Sequence, residues 1–173
     1  LLLLTQIVDI GLPTVLALNM MDLAVKAGVS YDFLMLAQKL GVTVVPINAR
    51  KGEGIDALKK EIAQAEVSRV QPIFPVWPEA KEAVHQLKGS FQLSNDYQAY
   101  QYLEQPQSLH FLSKDKQDFI ESIRKTHQYF PGKFQGAETI QRYGFIQDLL
   151  NQATLKQPDY AWKNFSHKLD RIL

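Results

Sequence analysis

Two short polar runs in the first third of the chain carry residue types that can recognise a purine base. The first run supplies Asn19, Met20 and Asp22, and the second supplies Asn48, Ala49 and Arg50. A carboxylate such as that of Asp22 can accept hydrogen bonds from both the ring N1–H and the exocyclic amine of guanine. Adenine lacks this pair of adjacent donors, so the same carboxylate would lose its partners there. The residue types therefore predict a site that selects guanine.

Other groups in these runs fit the same base. The amide of Asn19 can donate to ring N7 and brace the neighbouring loop, while the backbone N–H of Ala49 can donate to the guanine carbonyl oxygen. Met20 can cover the face of the base with a polarizable apolar surface. The alternative is that Asn19 and Asp22 are turn formers whose side chains bond only to local backbone.

The sequence around both runs favours the binding site over the turn. Residues 13–18 and 42–47 are short apolar runs typical of buried strands. Each polar run begins where one of these strands ends, and ligands of open α/β sheets bind at strand ends. An amphipathic helix then follows, with Ile55, Leu58 and Ile62 on one face.

The predicted elements divide the chain near residue 70. Residues 1–70 alternate helix and strand, as in a parallel α/β layer, with one helix capped by Ser30 and ended by Gly41. Pro72, Pro75 and Pro78 mark a linker, after which no strand is predicted. Helices are predicted at residues 78–88 (ending at Gly89), 95–104, 113–129, 137–153 and 159–173. We therefore expect an α/β domain at 1–70 and an all-α helical domain at 71–173.

The chain has no glycine-rich turn of the form GxxxxGK[ST], which would supply the N–H cradle and the lysine for nucleotide phosphates. Residues 1–70 are thus interpreted as part of a P-loop GTPase-like parallel sheet, without its phosphate half. GTP hydrolysis needs that cradle, Mg²⁺ ligands and a positioned water. We expect this chain to be inactive as a GTPase, to bind guanine nucleotide very weakly and to hold no cofactor. The strand at 13–18 would have an open edge, which predicts self-association.

Composition excludes several classes of protein. The 173 residues include no cysteine and carry a formal net charge of +1, so neither a disulfide framework nor a thiolate metal site is expected. The scattered charges form no basic patch for nucleic acid and no polybasic cluster for anionic lipid. The histidines show no metal-ligand spacing, and no metal is assigned; they are His85, His110, His127 and His167.

The leucine run at residues 1–4 lacks the basic flank of a signal peptide and is far too short to span a membrane. Together with Ile7 and Val8 it predicts the end of a buried helix that stops at Gly11. We therefore expect the chain to begin within a domain.

The motifs resemble one known family. The run at residues 19–24, with Met in its second place, and the run at residues 50–58 are similar to the cytosolic G domain of the bacterial ferrous-iron transporter FeoB. Residues 137–150 resemble a late helix of the helical spacer domain in that family. Residues 166–173 resemble the segment that ends its soluble region before the first transmembrane helix.

The resemblance implies that the intact protein binds GTP or GDP together with Mg²⁺. It implies that residues 1–70 are the C-terminal half of its G domain, and that residues 71–173 couple the nucleotide state to a membrane channel for Fe²⁺. The channel domain of the same protein would be the partner, at the cytoplasmic face of the bacterial inner membrane. Met20 replaces the lysine of most GTPases, which implies weaker nucleotide binding. Asn48 replaces the commoner Ser or Thr but can make the same turn bond.

Other classes of function stay open at this point. One is a soluble GTPase of the ribosome-assembly type with a trailing interaction domain, although the absence of a basic patch argues against a domain that binds RNA. Another makes the helical part a plain protein-interaction module.

Overall fold

A computed structural model describes residues 1–67, 72–105 and 108–156. The contacts of the chain divide into two compact units. The helical unit comprises Leu1–Leu12 and Gln71–Phe145, and the α/β unit comprises Pro13–Val70 and Ile146–Leu173. The contacts thus group the first helix with the later helices, whereas the domains expected from the sequence cut the chain once. The assignment of the units to functional domains stays a prediction.

The α/β unit is built on a parallel pair of strands. Its elements are β1 (Val15–Leu18), α2 (Met21–Lys26), β2 (Ser30–Tyr31), α3 (Phe33–Leu40), β3 (Thr43–Pro46), α4 (Ile55–Ala63) and β4 (Thr154–Lys156). β1 pairs in parallel with β3, so that Leu18 lies opposite Pro46 at the carboxyl ends of both strands. Parallel strands need a crossover connection, and the segment containing α2 and α3 supplies it. The alternation of helix and strand predicted for this part of the chain is therefore confirmed.

The start of α3 differs from the prediction. Asp32, rather than Ser30, caps the helix, because its Oδ1 accepts the N–H of Met35 at 2.9 Å. Ser30 and Tyr31 instead form β2, which pairs antiparallel with β4. The prediction that strands end before residue 70 is also wrong, since β4 begins at Thr154. A strand this short carries too little periodicity to be recognised in sequence, and its partner lies far away along the chain.

The helical unit packs its helices around an aromatic and aliphatic core. Its elements are α1 (Leu2–Ile10), a 3₁₀ turn (Pro78–Ala80), α5 (Lys81–Phe91), α6 (Asp96–Glu104), α7 (Lys114–Thr126) and the first part of α8 (Gln135–Ala153). The core is formed by side chains that include Phe74, Leu87, Tyr100, Leu103, Ile120 and Ile123. α1 ends at Gly11, whose φ of 84° is the left-handed conformation expected of a glycine at this position.

Two details of these helices differ from expectation. Pro78 opens a 3₁₀ turn before α5 rather than the α-helix itself, and α5 continues through Gly89 to Phe91. Gln92, with a left-handed φ of 53°, follows the last residue of α5, where the sequence predicts an end at Gly89. The predicted helix at 159–173 lies outside the described residues. None of the described helices is long and apolar enough to cross a bilayer.

A buried polar cluster fixes several segments of the helical unit. Arg142 is fully buried, with its Nη2 2.8 Å from Asp9 Oδ2 and its Nε donating to Glu138 Oε1 at 2.8 Å. The Tyr97 hydroxyl donates to the same Glu138 oxygen at 2.6 Å. Asp9 also accepts the backbone N–H groups of residues 73 and 74. Burial raises the pKa of Asp9, and the two N–H groups and Arg142 oppose that rise. The cluster joins α1, the linker, α6 and α8 in one network.

Candidate nucleotide-base site

The two polar runs lie together at one edge of the β1–β3 sheet. Because Leu18 and Pro46 are register partners, the loops that follow them leave the sheet side by side. Asn19 Oδ1 accepts the N–H of Ala49 at 3.1 Å and the N–H of Met20 at 2.8 Å. A single side-chain oxygen therefore connects both loops, as expected for an asparagine that braces its neighbour.

Asp22 is placed where a ligand can reach it. The residue lies in the first turn of α2 and is partly exposed. Within the described part of the chain its carboxylate has neither a hydrogen bond nor an ion pair, so both oxygens are available as acceptors. Met20, immediately before α2, is 61% exposed and has φ of 64°. A non-glycine residue in this region is uncommon, and such positions cluster at binding sites.

Asn48 holds the second loop in shape. It is only 5% exposed, its N–H donates to Glu53 O at 3.0 Å, and its Oδ1 accepts the N–H of Lys51 at 3.3 Å. The predicted turn bond is thus present. Its Nδ2 is buried and has no hydrogen-bond partner among the described residues. A buried unpaired donor is costly, so this amide is a candidate for ligand contact.

A cleft of about 460 Å³ lies beside these loops. Asp22 and Asn48 line it, together with Lys26, Glu53 and Gly54. Sequence reasoning did not assign these last three residues, although Glu53 and Gly54 lie in the run at residues 50–58 that resembles the known family; Lys26 lies in α2. The remaining predicted residues, Asn19, Met20, Ala49 and Arg50, do not line this cleft.

The backbone N–H of Ala49 is already engaged. It donates to Asn19 at 3.1 Å, so donation to a guanine carbonyl would need this bond to be shared or exchanged. Arg50 is exposed at the end of the same loop. The structure therefore brings the six predicted residues to one edge of the sheet. Within the described chain, the Asp22 carboxylate, the Nδ2 groups of Asn19 and Asn48, and the Arg50 guanidinium have no hydrogen-bond partner.

Among the described residues there is no comparable group of side chains for binding a metal ion. Within residues 1–67, 72–105 and 108–156, no three side chains of His, Asp or Glu are grouped so that they could hold a metal ion. His85 Nε2 lies 3.7 Å from Asp96, and His127 Nε2 lies 2.7 Å from Gln86 Oε1. His167 lies outside the described residues.

Comparison with known proteins bears on this site. Residues 1–62 match the family model described as ferrous iron transport protein B. The Fe(2+) transporter FeoB of Leptospira biflexa is 27% identical over 183 residues, which cover 98% of this chain and 26% of that protein. A Fe(2+) transport protein A/FeoB fusion protein of Porphyromonas gingivalis is 30% identical over 97% of this chain and 22% of its own length. The chain thus spans about a quarter of the length of these relatives.

Solved structures of FeoB cytosolic domains are also similar to this chain. The cytosolic domain of L. pneumophila FeoB is 25% identical, with a TM-score of 0.62 over 88% of this chain and 61% of that chain. A GDP-bound mutant of the S. thermophilus FeoB G-domain is 27% identical, with a TM-score of 0.61 over 88% of this chain and 63% of its own.

The parallel sheet, the helices around it and these structural likenesses define the chain as part of a G-domain protein of α/β type with attached helices. More particularly, residues 1–62 match the model of the ferrous iron transport protein B family, and the chain as a whole is similar to the FeoB proteins named above.

Gly54 offers a test of the loop geometry. A Cβ on Gly54, whose φ is 78°, would lie 2.5 Å from the carbonyl oxygen of Pro46, whereas one on Gly52, with φ of 75°, would meet nothing within 4 Å. Both substitutions by alanine cost about 1–2 kcal/mol for the left-handed backbone. We expect Gly54→Ala to cost at least about 1 kcal/mol more in the free energy of unfolding, measured by urea denaturation. Equal losses for Gly52→Ala and Gly54→Ala would contradict the close approach of this loop to β3.

Proposed function

We propose that the α/β unit supplies the guanine-recognition part of the GTP-binding region of a ferrous-iron transporter. The observation that carries the proposal is the hydrogen bond from Ala49 N–H to Asn19 Oδ1, which holds two loops at one sheet edge beside an unpaired Asp22 carboxylate. The relatives named as Fe(2+) transporters and the GDP-bound G-domain among the solved structures support it.

Each residue then has a separate role. Asp22 accepts the N1–H and amine of guanine, and this pair selects guanine over adenine. Because Asn19 Oδ1 is used between the loops, its Nδ2 is the group that donates to ring N7. Met20 covers the base, and Asn48 keeps the turn that presents Ala49. Arg50, which is exposed at the end of the second loop, is the sixth residue of the proposed base site.

The function of the intact protein follows from the same proposal. GTP, held with Mg²⁺ by residues outside this chain, would act as a switch, and the helical unit would couple the nucleotide state to a membrane channel for Fe²⁺. This region would lie at the cytoplasmic face of the bacterial inner membrane. The fragment itself would read the base with low affinity, because the phosphate cradle is not in its sequence.

The test exchanges the acceptor that reads the base. In Asp22→Asn, one carboxylate oxygen becomes an amide donor, which no longer matches the amine of guanine but matches the second carbonyl of xanthine. We expect the variant to bind GDP roughly tenfold or more weakly and to prefer XDP. Chemical shifts of the ¹⁵N-labelled chain, titrated with GDP, XDP and ADP, measure the three affinities while the phosphates stay constant.

Asp56→Asn is the matched control. Asp56 is an acid in the first turn of α4, 3.5 Å from Lys59 and outside the cleft, so this variant keeps the wild-type order of affinities. The proposal fails if the wild-type chain binds ADP as well as GDP, or if Asp22→Asn leaves the preference unchanged.

Self-association through the sheet edge is part of this proposal. Among the described residues β1 pairs only with β3, so its other edge is a template for a further strand. We expect the mass measured by light scattering to rise from monomer towards dimer with increasing protein concentration. A constant monomer mass over the whole concentration range would refute it.

A further inference from the structure

A cleft in the helical unit shares no lining residue with the candidate base site. Its volume is about 680 Å³, within the range of small-molecule pockets. We call it the α5 cleft. Its apolar wall includes Phe74, Val76, Trp77 and Val84, and its polar rim includes Lys81, His85, Lys88 and Asp96.

The carboxylates around the α5 cleft, and the side-chain oxygen of Asn95, already have partners. Asp9 accepts two backbone N–H groups and pairs with Arg142. Asp96 pairs with Lys88 at 2.8 Å and lies 3.7 Å from His85. Asn95 accepts the N–H of Gln98 and donates to a backbone carbonyl of α1. A ligand that brings further donors would therefore find few free acceptors on these walls.

The donors on the rim of the α5 cleft, by contrast, are not all paired. Lys81, His85 and Lys88 follow one another at helical spacing, so they lie along one face of α5. Lys88 has Asp96 as its counter-ion, but Lys81 is exposed and has neither an ion pair nor a side-chain hydrogen bond within the described residues. An uncompensated ammonium thus stands at the rim of an apolar wall.

We propose that the α5 cleft binds a small amphipathic carboxylate, whose apolar body packs against Val76 and Trp77 and whose carboxylate pairs with Lys81. Burial of the apolar body supplies the driving force, and the ammonium selects an anion over a neutral or cationic headgroup. This site is independent of guanine recognition.

The test separates the two parts of the ligand with three probes. Octanoate has both an apolar chain and a charge, octanol has the chain alone, and acetate has the charge alone. Trp162 is the other tryptophan of the chain, so a Trp162→Phe background leaves Trp77 as the single indole reporter. We expect octanoate to shift the Trp77 indole ¹H–¹⁵N resonance with saturation, at roughly three- to tenfold lower concentration than octanol, and acetate to leave it unchanged.

Lys81→Gln shows whether the charge is responsible. Lys81 is exposed, so the substitution should not affect folding, and the affinity for octanoate should fall to that for octanol while octanol binding stays unchanged. Lys116→Gln, at an exposed lysine on α7 outside the cleft, should bind octanoate as the parent does. The proposal is overturned if octanoate and octanol bind equally, if neither shifts the Trp77 resonance, or if Lys81→Gln has no effect.

Discussion

The candidate site depends on one hydrogen bond between side chain and backbone. Asn19 Oδ1 accepts the N–H of Ala49 and so ties the loop after β1 to the loop after β3. The parallel register brings both loops to the same edge, but register alone leaves them free to separate. With this bond in place, Met20 and the first turn of α2 with Asp22 form one surface with Asn48 and Ala49 of the second loop.

The two units differ in how their polar side chains are paired. In the helical unit, the buried Arg142 guanidinium pairs with the buried carboxylates of both Asp9 and Glu138, which is the kind of pairing that a low dielectric demands. At the sheet edge, the Asp22 carboxylate and Asn48 Nδ2 lack partners within the described chain. Asn48 Nδ2 is buried and carries the cost of an unpaired donor, whereas Asp22 is partly exposed, so guanine would exchange the water on this carboxylate for its two donors. The contrast is not complete, since the Tyr100 hydroxyl, Trp77 Nε1 and Arg142 Nη1 are also buried in the helical unit without a hydrogen-bond partner among the described residues.

Much of the site could be predicted because its signal is local. Apolar runs identified β1 and β3, and the polar residues directly after them had to leave the sheet at its carboxyl edge. The glycine end of α1 was also local, since it uses residues of the same turn. What failed depended on distant residues. Ser30 is a reasonable helix cap in isolation, but pairing with β4 draws it into a strand and leaves Asp32 as the cap.

The roles of individual groups were harder to predict than their positions. No pattern in the sequence shows that Pro46 O approaches Gly54 so closely that a side chain has no room. Sequence reasoning likewise gave the Ala49 N–H to the base, whereas the structure gives it to Asn19. Both facts come from the path of the chain in three dimensions, and the second makes Asn19 the residue on which the site depends.

Amide hydrogen exchange at Ala49 tests this dependence most directly. Asn19→Asp keeps the acceptor oxygen, and Asn19→Leu removes it at similar size. We expect exchange at the wild-type rate in Asn19→Asp and roughly fivefold faster exchange in Asn19→Leu, as for the loss of a bond worth about 1 kcal/mol. Unchanged exchange in Asn19→Leu would show that something other than this hydrogen bond holds the two loops together.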